Sequence, residues 1–530
     1  MTIGNIKKLF KSNSQSEPEP EPEQLPPHMS VQNQRALNQV VFSVTEDDST
    51  LLEVTDPAAS TTPAFNTIPN VKDIFRWRYN YGVNLGSCFL LESWIYSDLF
   101  EKGGASELDA INRNLTAFGV DVTAQKLSSH YTNYISTLDW NWLKNNANIT
   151  ALRVPIGYWH VNNGQFVDGT PFAPLKSVYQ KAAPWDKLKN LIYVAKQYGI
   201  GILVDVHGLP GGANSSDASG SINNPPTFFK NPTYISKMVN QILPFIARDV
   251  CINNINVIGL QIVNEADTNN TPVNEHNYYL RSAKAIGAID PQLPVVISDG
   301  WWPEQQGTWV QQNNLVSTVV VDAHIYRCFS SSDKSKTAQQ IISSLNSTVN
   351  YPSKSADFLT GEFSCVLDEQ TWNRTSGNRA DLIKQFGQTQ VAIFSQVSSW
   401  GWFFWTLKFQ IGNGGEWGFV PQVSKNNIPR RPQGSGITID WGKVQRIYQD
   451  HINYWKGKGS YFEHWRFADA IYKAASDVQT FSQYGNSRIG RTLSWTKLRR
   501  GQYIALKGDS SYMWEWDQGY QKGLDEFNKY

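Results

Sequence analysis

Ile202-Leu-Val-Asp-Val206 and Val319-Val-Val-Asp-Ala323 decide the fold. Both are continuous apolar runs broken by one acid, not apolar–polar alternations. That is the pattern of strands covered on both faces, as in a parallel sheet wrapped by helices. Working outward, these two lie in runs over 199–208 and 319–326. Six further runs, over 81–86, 149–157, 256–266, 294–302, 357–364 and 400–407, are likewise rich in Val, Ile, Leu and aromatics. Longer segments of helical character separate the eight. The alternation predicts βα units, and eight of them predict an α/β chain folded as a (β/α)8 TIM barrel. Each run ends in polar or aromatic residues, and in such barrels the C-terminal strand ends form the active face. No internal repeat of 20 to 50 residues is present, which excludes a solenoid or propeller.

Three segments are expected. Residues 1–70 include Glu17–Pro27, EPEPEPEQLPP, a proline-interrupted acidic run within polar surroundings, and read as a disordered N-terminal arm. Residues 71–460 hold the barrel. Residues 461–530 read as a helical C-terminal extension packed on the barrel's outside or near the cleft rim, because Trp514, Trp516, Tyr520 and Phe527 are costly to leave in water.

Lys and Arg number 47 against 46 Asp and Glu, for a net charge of +1, which argues against a nucleic-acid partner. Aromatic residues reach 13% with 20 Trp, a bias toward flat rings that suit sugar faces, although core packing accounts for most of them. Cys88, Cys251, Cys328 and Cys365 lack metal-ligand spacing and read as free thiols. Neither a secretory signal nor a run of roughly 18 apolar residues is seen, so the expectation is an intracellular, cytoplasmic protein without a transmembrane segment. Met1–Lys11, basic and without acids, weakly resembles a mitochondrial presequence or a membrane-surface helix, which is the alternative. Composition carries no signal for oligomeric state.

Two strand ends present glutamates. The fourth run, NVIGLQIVNEA, ends in Asn264-Glu265-Ala266, and the seventh, DFLTGEFS, presents Glu362 behind Gly361. Two carboxyls flanking a glycosidic bond are what its hydrolysis with retention requires, one as acid and one as nucleophile. Either glutamate alone reads as a salt bridge at a strand end; together they are specific. Asn264 suits a sugar 2-hydroxyl. Arg153 is placed to hold the nucleophile, His207 to donate to a sugar hydroxyl, and Tyr326, two residues from His324 on one side of a strand, to bond Glu362. Trp405 suits the floor beneath a sugar, whereas Trp402 and Phe404 read as core. Gly208, Gly211 and Gly212 are not followed by the Lys-Ser/Thr of a phosphate loop, so nucleotide binding is rejected.

In order, the stretches YGVNLGSCFLLESW, LRVPIGYWH, VDVHGLPGGANSSDASG, IVNEA, SDGWW, VVVDAHIYRCFS, LTGEFS and GWFFWTLK, over about residues 80 to 410, resemble the fungal exo-β-1,3-glucanases of glycoside hydrolase family 5 and their intracellular branch. The resemblance implies Glu265 as acid/base and Glu362 as nucleophile. It implies substrate contacts from Glu92, Arg153, His207, Asn264, His324, Tyr326 and Trp405. Ala266 and Phe363 depart from the family's proline and tryptophan and are expected to reshape the loop after the fourth strand and the cleft wall. The expected activity is a retaining β-glucosidase on β-1,3-glucan or its oligosaccharides, needing neither metal nor organic cofactor. A glucosylated lipid as substrate, or a non-catalytic carbohydrate-binding protein, are the alternatives. The ionised Glu362 is expected to raise the pKa of Glu265 so that it holds its proton.

Overall fold

The computed structural model describes residues 65–267, 272–459 and 461–529. The acidic run and Met1–Lys11 lie outside them. Residues 65–70, placed above in the N-terminal arm, belong to the folded chain: Phe65 is buried, and the Thr67 carbonyl accepts from Lys473 and Arg499.

Eight strands close into a barrel: β1 (Asn80–Asn84), β2 (Ala151–Gly157), β3 (Gly201–Gly208), β4 (Val257–Gln261), β5 (Val295–Ser298), β6 (Val319–Arg327), β7 (Asp357–Leu367) and β8 (Gly401–Phe404). All neighbours are parallel, and β8 returns to β1 from Asn80↔Gly401 to Val83↔Phe404. Inside, Ala151, Leu203, Ile258, Val296, Val320, Leu359 and Phe403 form one apolar cluster at the N-terminal end of the barrel. Gly82 admits it, since a Cβ there would lie 2.3 Å from the Phe403 ring. Phe75 and Trp400 join the cluster from below. Phe75 sits on α1 (Val71–Trp77), whose start Asn70 and Asp73 secure by a reciprocal capping box.

The crossovers carry α2 (Glu107–Ser136), α3 (Pro184–Gln197), a helical run over 232–251, α4 (Val273–Gly287), α5 (Pro303–Gln312), α6 (Ala338–Thr348) and α7 (Arg379–Val397). Their buried faces build the main core against the strands. The four cysteines are free and buried, Cys88, Cys251 and Cys365 within that core. Among the described residues no helix is long and apolar enough to cross a membrane.

Four helices follow: α8 (Trp441–Trp455), α9 (His464–Gln483), α10 (Thr492–Lys507) and α11 (Met513–Phe527). α9 and α11 approach closely because α11 turns Gly519 and Gly523 toward its partner; a Cβ at either would lie 2.5 Å from Phe467 or Ala474 atoms. Arg499 grips the fully buried Asp477 with two bonds of 2.8 and 2.9 Å. The module meets the barrel where the strands begin. Asp357, first residue of β7, accepts the N–H groups of Leu493 and Ser494 at the start of α10, complementing the positive helix end. Arg491 lies over the rings of Trp77 and Trp400 and donates to the Ser317 carbonyl. Trp516 and Tyr520 are buried with Trp77, Trp495 and Tyr503. The extension therefore covers the face opposite the active one, not the cleft rim.

Candidate active site

Side chains two residues along a strand point the same way. One step above the apolar plug, Arg153, Asp205, Asp322 and Gly361 replace Ala151, Leu203, Val320 and Leu359. This layer is charged and almost wholly buried. Arg153 is its hub. Its guanidinium donates to Gln261 at 2.9 Å, Asn84 at 2.9 Å, Asn264 at 2.8 Å and Glu362 Oε1 at 2.9 Å, and lies 3.0 Å from Asp205. Burial pulls its pKa down, but Asp205, Glu362 and Asp322 outweigh that and hold it above the ordinary value. Gly361 is required here. Its N–H donates to Asp322 Oδ1 at 2.7 Å, and a Cβ would meet that oxygen at 2.1 Å.

The next step up holds the candidate reacting groups. Tyr326 donates to Glu362 Oε2 at 2.8 Å, so the carboxylate has a phenol on one oxygen and a guanidinium on the other. Asp322 takes His324 Nε2 at 3.1 Å, and His324 Nδ1 reaches Glu265 Oε1 at 2.9 Å and Glu362 Oε2 at 3.5 Å. His207 Nδ1 donates to Asp205 at 2.6 Å, which leaves Nε2 to accept the Asn264 amide at 2.9 Å. Both its nitrogens thus have protein partners, Asp205 on one side and Asn264 on the other. The Trp405 ring lies nearly parallel to His207, 6.1 Å between centroids. Glu92, on the loop after β1, accepts from Trp94 Nε1 at 2.9 Å. All nine residues singled out from sequence lie at this end of the barrel.

Asn264 and Glu265 are not on the strand proper. The β4 ladder stops at Gln261, and the chain leaves it irregularly with Glu265 at φ 44°, the left-handed region a β-substituted residue occupies only at a cost. The Asn214 amide ties down its carbonyl at 2.9 Å. Ala266, beyond it, is buried and takes Ser298 Oγ through its N–H. Phe363 corrects an expectation: the register shift at Gly361 breaks the alternation, so Glu362 joins the interior and Phe363 packs outward against Phe394, Trp402 and Phe404 and does not form the cleft wall. Trp94 packs on Phe409 and Trp417, and Trp417 lies beside Tyr326.

The acids divide by environment. Burial pushes the Glu92 carboxyl far above its usual range, and Asp217, Glu362 and Glu265 add to it. Burial also raises Glu362, outweighing His324 and Arg153. Glu265 is buried too, yet the bond and charge of His324 hold its carboxyl below the usual range, contrary to the expected rise. Against burial, Glu362 and Asp322 lift the His324 imidazole well above its ordinary value. These last two shifts belong to one coupled pair, joined by the 2.9 Å bond between His324 Nδ1 and Glu265 Oε1.

Asn84, Asp205, Gln261 and Asp322 were not singled out from sequence. The available signal was the Asp-x-His spacing of 205–207 and 322–324, which puts acid and imidazole on one side of a strand. A tryptophan two residues past Glu92 was a further one.

Comparison with known proteins agrees with this architecture. The model of the family Cellulase (glycosyl hydrolase family 5) matches residues 115–410, and that of the Glucan 1,3-beta-glucosidase 3 C-terminal domain matches residues 441–530. The chain is 50% identical to an uncharacterized glycosyl hydrolase of Saccharomyces cerevisiae, over 87% of this chain and 94% of the relative. It is 30% identical to glucan 1,3-beta-glucosidase 3 of Schizosaccharomyces pombe, over 85% and 95%. Among solved structures, the rutinosidase from Aspergillus niger superposes with a TM-score of 0.50 at 20% identity, covering 67% of this chain and 98% of that one, a likeness of fold.

Proposed function

The chain belongs to glycoside hydrolase family 5 and hydrolyses glycosidic bonds, and on that premise we propose that it is a retaining, exo-acting β-glucosidase with Glu362 as nucleophile and Glu265 as acid/base. One observation carries the reading. An oxygen of Glu265 and an oxygen of Glu362 lie within 4.8 Å of each other around His324 Nδ1. Retaining pairs stand about 5 to 5.5 Å apart, whereas inverting pairs need roughly 6.5 to 9.5 Å to admit a water.

The first step forms a bond from Glu362 to the anomeric carbon while the leaving oxygen takes a proton from Glu265. Glu265 draws that proton from His324 along their hydrogen bond as it passes it on, so the first step breaks the glycosidic C–O bond and leaves Glu265 ionised and His324 neutral. Arg153 and Tyr326 favour the ionised nucleophile and release it as the covalent ester forms. In the second step Glu265 deprotonates water, which displaces Glu362 and frees β-glucose. Asn264, fixed between Arg153 and His207, is aimed at the 2-hydroxyl, where bonding strengthens in the transition state. The buried Glu92, with Trp94, closes the pocket beyond the terminal sugar and supports exo action.

Relatives named glucan 1,3-beta-glucosidases favour β-1,3-linked glucose. A second reading has its own observation: Trp301, Trp302, Ile222 and Ile411, on loops past the C-terminal strand ends, are 52%, 47%, 51% and 81% exposed. Such side chains suit an apolar leaving group, as in a glucosylated lipid. The test is to follow by NMR the anomer released from β-1,3-glucan oligosaccharides, with Glu362→Gln as control. β-Glucose from the wild type alone supports the proposal; α-glucose overturns retention, and internal cleavage overturns exo action.

A further inference from the structure

Away from the barrel's active face, three helices bring metal-ligand atoms together. His451 near the end of α8, His464 at the start of α9 and Glu515 in the first turn of α11 place one donor atom each within 4.8 Å of one another. His451 Nε2 at 2.9 Å and His464 Nδ1 at 2.7 Å share a single oxygen, Glu515 Oε2. The other oxygen accepts the Glu463 N–H at 2.7 Å, which fixes the carboxylate's orientation. Aromatic rings enclose the group: His451 stacks on Phe467 at 3.9 Å, His464 stacks on Phe462 at 5.0 Å, and Trp455 packs on Trp514 beside them.

The charge balance is what points to a ligand. Glu515 is fully buried, and among the described residues no lysine or arginine nitrogen forms an ion pair with it. A buried carboxylate without a cation is costly. Arg466, the adjacent cation, is committed to Glu463, the Gly508 carbonyl and Met513. Two imidazoles and one carboxylate are a donor set matched to zinc, and apolar rings around such a set exclude water. Donors at about 2.0 to 2.1 Å from a tetrahedral ion stand about 3.4 Å apart, so the two nitrogen–oxygen separations need widen by only about half an ångström. The side chain of His464 is 22% exposed, which leaves a solvent side for a fourth ligand.

We propose that His451, His464 and Glu515 form a zinc site that fastens α8 to α9 and α11. The function is structural and independent of glycoside hydrolysis. To test it, the full-length protein is stripped with a chelator, loaded with Zn2+ and freed of excess, and zinc per chain is measured for wild type and His464→Asn. Glu265, His324 and Glu362 also bring donor atoms within 4.8 Å, so the count is read as a difference between the two proteins. The wild type should hold one more equivalent, and zinc should raise its Tm by about 2 °C or more while leaving the variant's unchanged. Equal zinc content and equal Tm responses would reduce the cluster to a hydrogen-bonded triad and overturn the proposal. If the variant does not fold, anomalous scattering at the zinc edge from loaded wild-type crystals decides: a peak beside Glu515 supports the site, and none overturns it.

Discussion

His324 Nδ1 lies 2.9 Å from Glu265 Oε1 and its other nitrogen 3.1 Å from Asp322, so one imidazole joins the proposed acid to a buried carboxylate. The consequence is a pH dependence. In the wild type the acid's proton resides on the pair, and the imidazole, held well above its ordinary pKa by Glu362 and Asp322 against burial, gives it up only on the alkaline side. In His324→Gln the proton must sit on Glu265 alone and is lost at lower pH. The basic limb of the kcat/KM profile should move toward acid by about one pH unit or more. A profile that keeps its basic limb would show that His324 does not hold the proton.

Among the described residues Arg153 is the one lysine or arginine that pairs with Asp205, Asp322 and Glu362. Arg153→Met leaves those acids buried together and should cost about 3 to 5 kcal/mol in urea unfolding, the penalty of breaking a buried pair on one side. Arg153→Lys keeps the charge but not the planar fork that reaches four side chains at once. It should retain most of the stability and lose about 100-fold in kcat, with KM changed little. Equal losses of stability in both variants would refute the charge argument.

Strands were legible because each is covered on both faces and so reads as an unbroken apolar run, Ile202 to Val206 most clearly. The candidate reacting residues stood out because their charge follows those runs where a structural role is hard to find. Three things were not. The end of β4 at Gln261 was hidden, since Ile262 and Val263 continue the apolar run after the ladder has stopped. The charged layer was hidden, since Asp205 and Asp322 sit singly within aliphatic stretches and acquire meaning only when the barrel closes them onto Arg153. The lowered Glu265 pKa was hidden for the same reason, because the sequence separation of 59 residues from His324 conceals the contact that causes it.

Glu265 holds φ 44° without being glycine. A Cβ in that region costs of order 1 kcal/mol, while glycine adopts it freely. Glu265→Gly should therefore be about 0.5 to 1 kcal/mol more stable than Glu265→Ala in denaturant titration. Both should lose about 100- to 10,000-fold in kcat on substrates whose leaving group needs protonation. If alanine proves as stable as glycine, the turn is not strained in solution.

The last four helices, which we propose to treat as one module from Trp441, bear on the barrel through its lower face. Arg491 covers Trp77 and Trp400, and the start of α10 meets Asp357 at the beginning of β7. Deleting residues 441–530 would uncover the aromatic plug and leave the Asp357 carboxylate without its two N–H donors. Each uncovered aromatic gives up about 2 kcal/mol of burial. Two or three of them together approach the ~5 to 15 kcal/mol by which a native protein is stable. The truncated chain should fail to accumulate in soluble form, or should bind a hydrophobic dye and unfold without a cooperative transition, although every residue of the active face remains. A soluble truncation with wild-type kcat on an aryl β-glucoside would instead show that the lower face needs no cover, and would move the module's purpose elsewhere.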